Sequence, residues 1–249
     1  MATVDLSRVR ALSFDCYGTL IDWESGIVAA LTPWARRRGV RADAEALLGW
    51  FARAEPEAEA AAPASPYRVV LRDVMRRIGR LAGAPVDEAD ERRLADSVGA
   101  WPAFGDTPAA LARLKSRCAL VIVSNVDRES FEGTRPRLGV AFDAVVTAEE
   151  VGAYKPDPRM FDAADAAMGR LGIAPGERVH VAQSLHHDIA PASARGWRTC
   201  WVDRRAGRPG GATPAPAGAV RADLTVPTLA ALADLIESAQ PDSVRTDGR

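Results

Sequence analysis

The chain has only three cysteines and three histidines in 249 residues, and of its 32 basic residues just two, Lys115 and Lys155, are lysines. Cys16, Cys118 and Cys200 are odd in number, irregular in spacing, and each lies in or beside an apolar run. That pattern excludes a disulfide framework and a cysteine-ligated zinc site, and it suits a reducing compartment. No apolar run is long enough to cross a bilayer, and Met1–Arg10 lacks the cationic start and apolar block of a secretory signal. The expectation is a cytoplasmic protein without membrane association. Excess charge is missing too: the formal net charge is −1, so no global field favours nucleic acid. The runs Arg36–Arg38 and Arg76-Arg77 read as solvated helix faces.

What is present is an ordinary globular composition, 47% hydrophobic and 26% charged, in a chain long enough for one large α/β unit with or without an insertion. Five short apolar or β-branched runs read as buried strands: Val9–Phe14, Ala119–Val123, Ala144–Thr147, Val179–Ala182 and Thr199–Val202. Helical patterns such as Phe161–Leu171 and Ile189–Arg195 separate the later ones. This alternation predicts βαβ units and a doubly wound, Rossmann-like parallel sheet. Residues 22–100 contain no strand pattern but helical ones at Ala44–Arg53 and Tyr67–Leu81, broken at Pro63–Pro66. The expected organisation is an α/β core of residues 1–21 and 101–240 with a helical cap inserted at 22–100. Gly207–Gly218 reads as a loop, Thr228–Ser238 as the last helix, and 241–249 as a mobile tail.

In such a sheet, ligands bind beyond the carboxyl ends of the strands. Asp15, Ser124-Asn125 and the Gln183–Asp188 segment all fall there. Asp15 reads either as a turn cap or as a nucleophile that forms an ester with an electrophilic carbon; Gly18 and Thr19 behind it favour the nucleophile. Tyr17 stands where a phosphoryl-transfer enzyme needs a second acid. A phenol with a pKa of about 10 is poorly matched to proton transfer at neutral pH, which points toward displacement at carbon. Ser124-Asn125 is either a helix N-cap, a donor pair for a carboxylate or leaving anion, or both. Lys155, framed by Tyr154-Lys155-Pro156-Asp157-Pro158, is either an exposed turn lysine or the partner that keeps Asp15 ionised. Asp188 is placed to orient or deprotonate water, with His187 assisting. Adjacent His186, His187 and Asp188 do not converge naturally on one metal ion, and Gln183 supplies no charge to a magnesium site built on Asp15 and Asp188.

Taken in order, Asp15-Cys16-Tyr17-Gly18-Thr19-Leu20, Ser124-Asn125, Lys155-Pro156-Asp157 and Asp188 resemble the haloacid dehalogenase superfamily. Tyr17 selects its (S)-2-haloacid dehalogenase (type II) branch, and Cys200–Arg204 is similar to the strand that follows in that family. The resemblance implies an α/β core with a helical cap, often dimeric, using no organic cofactor and no required metal. It implies that Asp15 displaces halide from C2 of a small anionic 2-haloacid and that water then hydrolyses the ester to a 2-hydroxy acid. By the same resemblance Thr19 and Ser124 position Asp15, Lys155 balances its charge, and Asp188 orients the water. Tyr17 lines the pocket, Asn125 holds the substrate carboxylate, and Ser184 and His187 complete the substrate-binding set. Two rival readings share part of this machinery: opening another activated carbon–heteroatom bond, such as that of a strained ring amine, or a magnesium-dependent phosphatase. The chain also departs from the branch. Gln183-Ser184-Leu185 replaces Ser-Ser-Asn, and Phe161 replaces a tyrosine. Phe51 falls where the cap arginine that cradles halide is expected, leaving Arg53 or Arg68 to substitute.

Overall fold

In the computed structural model, which describes residues 4–208, 210–213 and 218–240, the sheet is built from short strands, the central ones buried on both faces. They are β1 (Ala11–Phe14), β2 (Ala119–Ser124), β3 (Ala144–Thr147), β4 (Arg178–Ala182), β5 (Arg198–Val202) and β6 (Leu224–Val226). All neighbours are parallel, in the order β3-β2-β1-β4-β5-β6. Side chains of a strand alternate between the two faces, yet every residue of β1 and β4 is buried, so helices must cover both sides. This is the doubly wound arrangement that the sequence predicts. The chain winds outward from β1 to β2 and β3, then returns to β4 on the other flank of β1. The switch point therefore lies between the ends of β1 and β4, where such sheets open a crevice.

Four of the helices between β1 and β2 fall within the stretch after β1 that carries no strand: α1 (Trp23–Arg37), α2 (Ala44–Ala61), α3 (Tyr67–Ala82) and α4 (Glu88–Ala95). They form the helical cap. In α3 the buried residues Tyr67, Val70, Leu71, Val74, Met75 and Ile78 recur at helical spacing, and Gly83 ends it at φ +64°. Helix α2 runs on to Ala61, beyond the expected Arg53, with Pro56 inside it. Pro63–Pro66 does separate it from α3. The remaining helices are α5 (Thr107–Lys115), α6 (Arg128–Leu138), α7 (Ala148–Val151), α8 (Pro158–Arg170), α9 (Ala190–Ala194) and α10 (Leu229–Ala239). Strand β6 is an addition to the predicted set. Of the Gly207–Gly218 loop, positions 209 and 214–217 lie outside the described residues, as does the tail expected at 241–249. Among the described residues no helix is long and apolar enough to cross a membrane. Cys16, Cys118 and Cys200 are buried free thiols.

Candidate active site

The end of β1 delivers Asp15 and the end of β4 delivers Gln183–Asp188, so the switch point brings both segments to one crevice. The Asp15 amide hydrogen-bonds the Val181 carbonyl at 3.1 Å, tying the two strand exits together. Thr19 adds a second tie: its Oγ1 donates to Asp15 Oδ2 at 2.6 Å and accepts the Gln183 amide at 2.8 Å. Gly18, at φ +92°, makes the tight turn between them, and a β-carbon there would meet Trp23 Nε1 at 3.0 Å and Gln183 Oε1 at 3.2 Å.

Lys155 reaches this crevice from the loop before α8 and is only 2% exposed. Its Nζ donates to Asp15 Oδ1 at 2.8 Å, to Asp188 Oδ1 at 2.8 Å and to the Val123 carbonyl at 2.9 Å. All three ammonium hydrogens are thus committed. Burial alone would lower the pKa of this amine, but the two carboxylates outweigh it and raise the pKa. For Asp15, burial is the largest influence and raises the pKa, with Lys155 and the Thr19 hydroxyl pulling it down. Burial would also raise Asp188, yet Lys155 and His180 win and hold it at about 2. The lysine of the proline turn is therefore a buried charge partner and not an exposed turn residue.

Asp188 sits on a single π-turn, Leu185–Ile189, that carries it inward from β4. His180 Nε2 lies 2.9 Å from Asp188 Oδ1, and His180 Nδ1 lies 2.9 Å from Ser13 Oγ. An ionised carboxylate only accepts, so Nε2 carries a proton and donates it to Asp188, while Nδ1 and the Ser13 hydroxyl share the second hydrogen bond. Asp188 Oδ2 is buried without a partner.

The rest of the predicted set divides by position. Asp15, Tyr17, Ser124, Asn125, Lys155, Ser184, His187 and Asp188 line one cleft of about 440 Å³, its mouth included. Ser124 Oγ is fully buried and unpartnered, so it does not hold Asp15 in this geometry. Asn125 is occupied with Lys155 itself: its Oδ1 accepts the Lys155 amide at 2.6 Å and its Nδ2 donates to the Lys155 carbonyl at 3.1 Å. Ser184 caps the π-turn, accepting the His187 amide at 2.9 Å, and burial lowers the His187 imidazole to about 4, so it is neutral. The Tyr17 phenol bonds Thr134 Oγ1 at 2.7 Å, and burial raises its pKa further. Arg68 is not gathered with the others. It pairs with Glu129 and Asp127 and is absent from the cleft lining, as is exposed Arg53. Phe51 is buried against Trp23, with ring centroids 5.8 Å apart. The cap instead contributes Trp23, Glu55, Glu59 and Tyr67 to the lining, and Tyr67 donates to Glu55.

The donors do not suit a divalent cation. Among the described residues no three His, Cys, Asp or Glu side chains converge on one point. One oxygen each of Asp15 and Asp188 is taken by Lys155, and the neutral Gln183 amide oxygen accepts from Thr213 at 2.9 Å.

A parallel sheet with a strand-end aspartate and a buried lysine bridging two acids has a counterpart among known proteins. Residues 9–194 match the family model of the haloacid dehalogenase-like hydrolases. The chain belongs to this family. It is a hydrolase of the haloacid dehalogenase superfamily, and its likenesses support the (S)-2-haloacid dehalogenase branch repeatedly. It is 27% identical over 216 residues to an (S)-2-haloacid dehalogenase of Pseudomonas putida, covering 81% of this chain and 88% of that one. It is 35% identical over 187 residues to a phosphoserine phosphatase of Thermus thermophilus, covering 71% and 70%. A crystal structure of a defluorinating L-2-haloacid dehalogenase superposes with a TM-score of 0.75 at 24% identity, covering 95% of this chain and 99% of that one.

The residues that sequence reasoning missed are Ser13 and His180 on the strands and Glu55, Glu59 and Tyr67 on the cap. A signal was there for the first pair. Each is a polar residue inside a buried strand, and the two are in register across β1 and β4.

Proposed function

We propose that this hydrolase breaks the carbon–halogen bond of a small 2-haloacid through an ester on Asp15. The observation that carries the reading is the Lys155 ammonium 2.8 Å from Asp15 Oδ1, beside a Tyr17 that is not an acid. An Asp15 oxygen attacks C2 and the carbon–halogen bond breaks, releasing halide without needing a proton. Water then adds to the ester carbonyl, the bond between the Asp15 acyl carbon and the ester oxygen breaks, and the C2–oxygen bond stays with the product. One water proton passes to that oxygen to give the 2-hydroxy acid and the other goes to solvent, restoring the Asp15 carboxylate. Asp188 Oδ2, the free oxygen of a carboxylate otherwise held by Lys155 and His180, is the acceptor for the water proton. Ser124 Oγ is the free donor for the substrate carboxylate, and Ser184 and His187 shape the wall beside it.

The phosphatase relative supports the rival reading, a magnesium-dependent phosphate-ester hydrolase. That chemistry needs a proton donor for the leaving alcohol, and the Tyr17 phenol is bound to Thr134 with its pKa raised. The test is halide release from chloroacetate and fluoroacetate beside phosphate release from a chromogenic ester, each with and without chelator. Chelator-insensitive halide release is expected; magnesium-dependent phosphate release instead would overturn the reading. The family likeness also supports a homodimer, checked by sedimentation, and the free cysteines support a cytoplasmic location, checked by fractionation.

A further inference from the structure

The cap side of the cleft is acidic. Glu55 and Glu59 are one turn apart on α2 and both line the cleft opposite Asp15 and Lys155. Among the described residues Lys155 is the only lysine or arginine in that lining, and its three hydrogens are spent. Glu55 is 5% exposed and accepts from the Tyr67 phenol. The half-buried Glu59 carboxylate lines the same cleft, and no side-chain hydrogen bond or ion pair ties it to a described residue. Burial pushes Glu55 up to about 7, and burial with the Glu55 charge pushes Glu59 up as well, Lys155 opposing. On the core side of the same cleft, the fully buried Ser124 hydroxyl is unpartnered. The two walls thus offer polar groups of opposite preference: an unpartnered hydroxyl for an anion and a pair of carboxyl groups for a cation.

A 2-haloacid with a plain alkyl end would press carbon against these carboxylates and desolvate them without compensation. Two acids at this helical spacing also repel each other. A compact ammonium with three donors resolves both costs, since it can bridge Glu55 and Glu59 in place of the proton they retain. We infer that Glu55 and Glu59 form a specificity site for an ammonium group, so that the acid attacked at C2 carries a cationic amine on its side chain. This rests on the proposed Asp15 chemistry for the reacting end only; recognition of the amine is a separate event and is measured separately.

Two readouts test it. The first is binding of unreactive product-like ligands, isoserine (3-amino-2-hydroxypropanoate) against lactate, measured by calorimetry on the wild type and on Glu59→Gln. Isoserine is expected to bind tighter by about tenfold or more, and the preference is expected to vanish in Glu59→Gln. Equal or tighter binding of lactate by the wild type, or an isoserine preference untouched in both Glu59→Gln and Glu55→Gln, overturns the inference. The second is chloride release from 3-amino-2-chloropropanoate against 2-chloropropanoate, with the same ordering expected in kcat/KM. An isoserine preference with no chloride from either substrate upholds ammonium recognition and removes the dehalogenation reading. Faster chloride release from 2-chloropropanoate upholds dehalogenation and overturns the inference.

Discussion

His180 Nε2 is hydrogen-bonded to Asp188 Oδ1 at 2.9 Å, on the same oxygen that accepts from Lys155. With both donors on Oδ1, the carboxylate is fixed in rotation and Oδ2 is left for water. His180 is thus a positioning residue, itself oriented by Ser13. Replacing it with leucine strips a donor from a buried carboxylate and a hydrogen-bond partner from the buried Ser13 hydroxyl, a loss of about 1–3 kcal/mol in stability. It is also expected to slow ester hydrolysis more than ester formation. Rapid-quench assays of His180→Leu should show a burst of halide of about one per active site followed by slow turnover. A uniform fall in both phases would assign the residue to packing alone.

Lys155 stands between two buried carboxylates, the only lysine or arginine among the described residues that line the cleft. Lys155→Met leaves Asp15 and Asp188 facing each other without compensation. Removing one partner of a buried ionic cluster costs about 3–5 kcal/mol, so a large fall in denaturation midpoint should accompany loss of activity. A variant as stable as wild type would mean that the acids are not held by this amine.

Asp15→Asn keeps the shape but removes the nucleophile, and in this geometry its one amide oxygen can accept from Lys155 or from Thr19, not from both. Turnover should fall by about a thousandfold or more while circular dichroism shows the fold retained, with a lower melting temperature from the weakened ion cluster. Near-normal turnover in that variant removes Asp15 from the chemistry.

Glu55 gives a pH signature of opposite sign to Asp188. Its folded pKa is raised from 4.5 to about 7, chiefly by burial. Between those values the folded protein keeps a proton that the unfolded chain has lost, so this residue's contribution to stability falls as pH rises through the window. The melting temperature of Glu55→Gln, compared with wild type across this range, should gain steadily on it toward pH 7. By linkage the gain is on the order of 3 kcal/mol at most. Parallel curves would mean that Glu55 ionises normally.

Much of this site was legible in the sequence because strand ends announce themselves. Asp15, Ser124 and Asp188 each follow an apolar run, and one parallel sheet brings such ends to a common edge. Lys155 was legible from its proline frame and the rarity of lysine. The cap wall was hidden by Pro56: a helix read as stopping at Arg53 never presents Glu55 and Glu59 on one face, whereas α2 carries the proline and continues. Asn125 and Arg68 show the limit of carrying roles by motif. Side-chain types fit the expected tasks, but tertiary partners decide: Asn125 is spent on the Lys155 backbone, and Arg68 on Glu129 and Asp127. Strand β6 was missed because three residues carry too little periodicity to register.

The most direct measurement is a single turnover in oxygen-18 water, with enzyme in excess over a 2-chloroacid that it turns over, followed by mass spectrometry of the peptide bearing Asp15. Attack of water on an enzyme ester predicts heavy oxygen in the Asp15 carboxylate and none in the first product formed. Heavy oxygen in that product, with an unlabelled Asp15, would contradict the account.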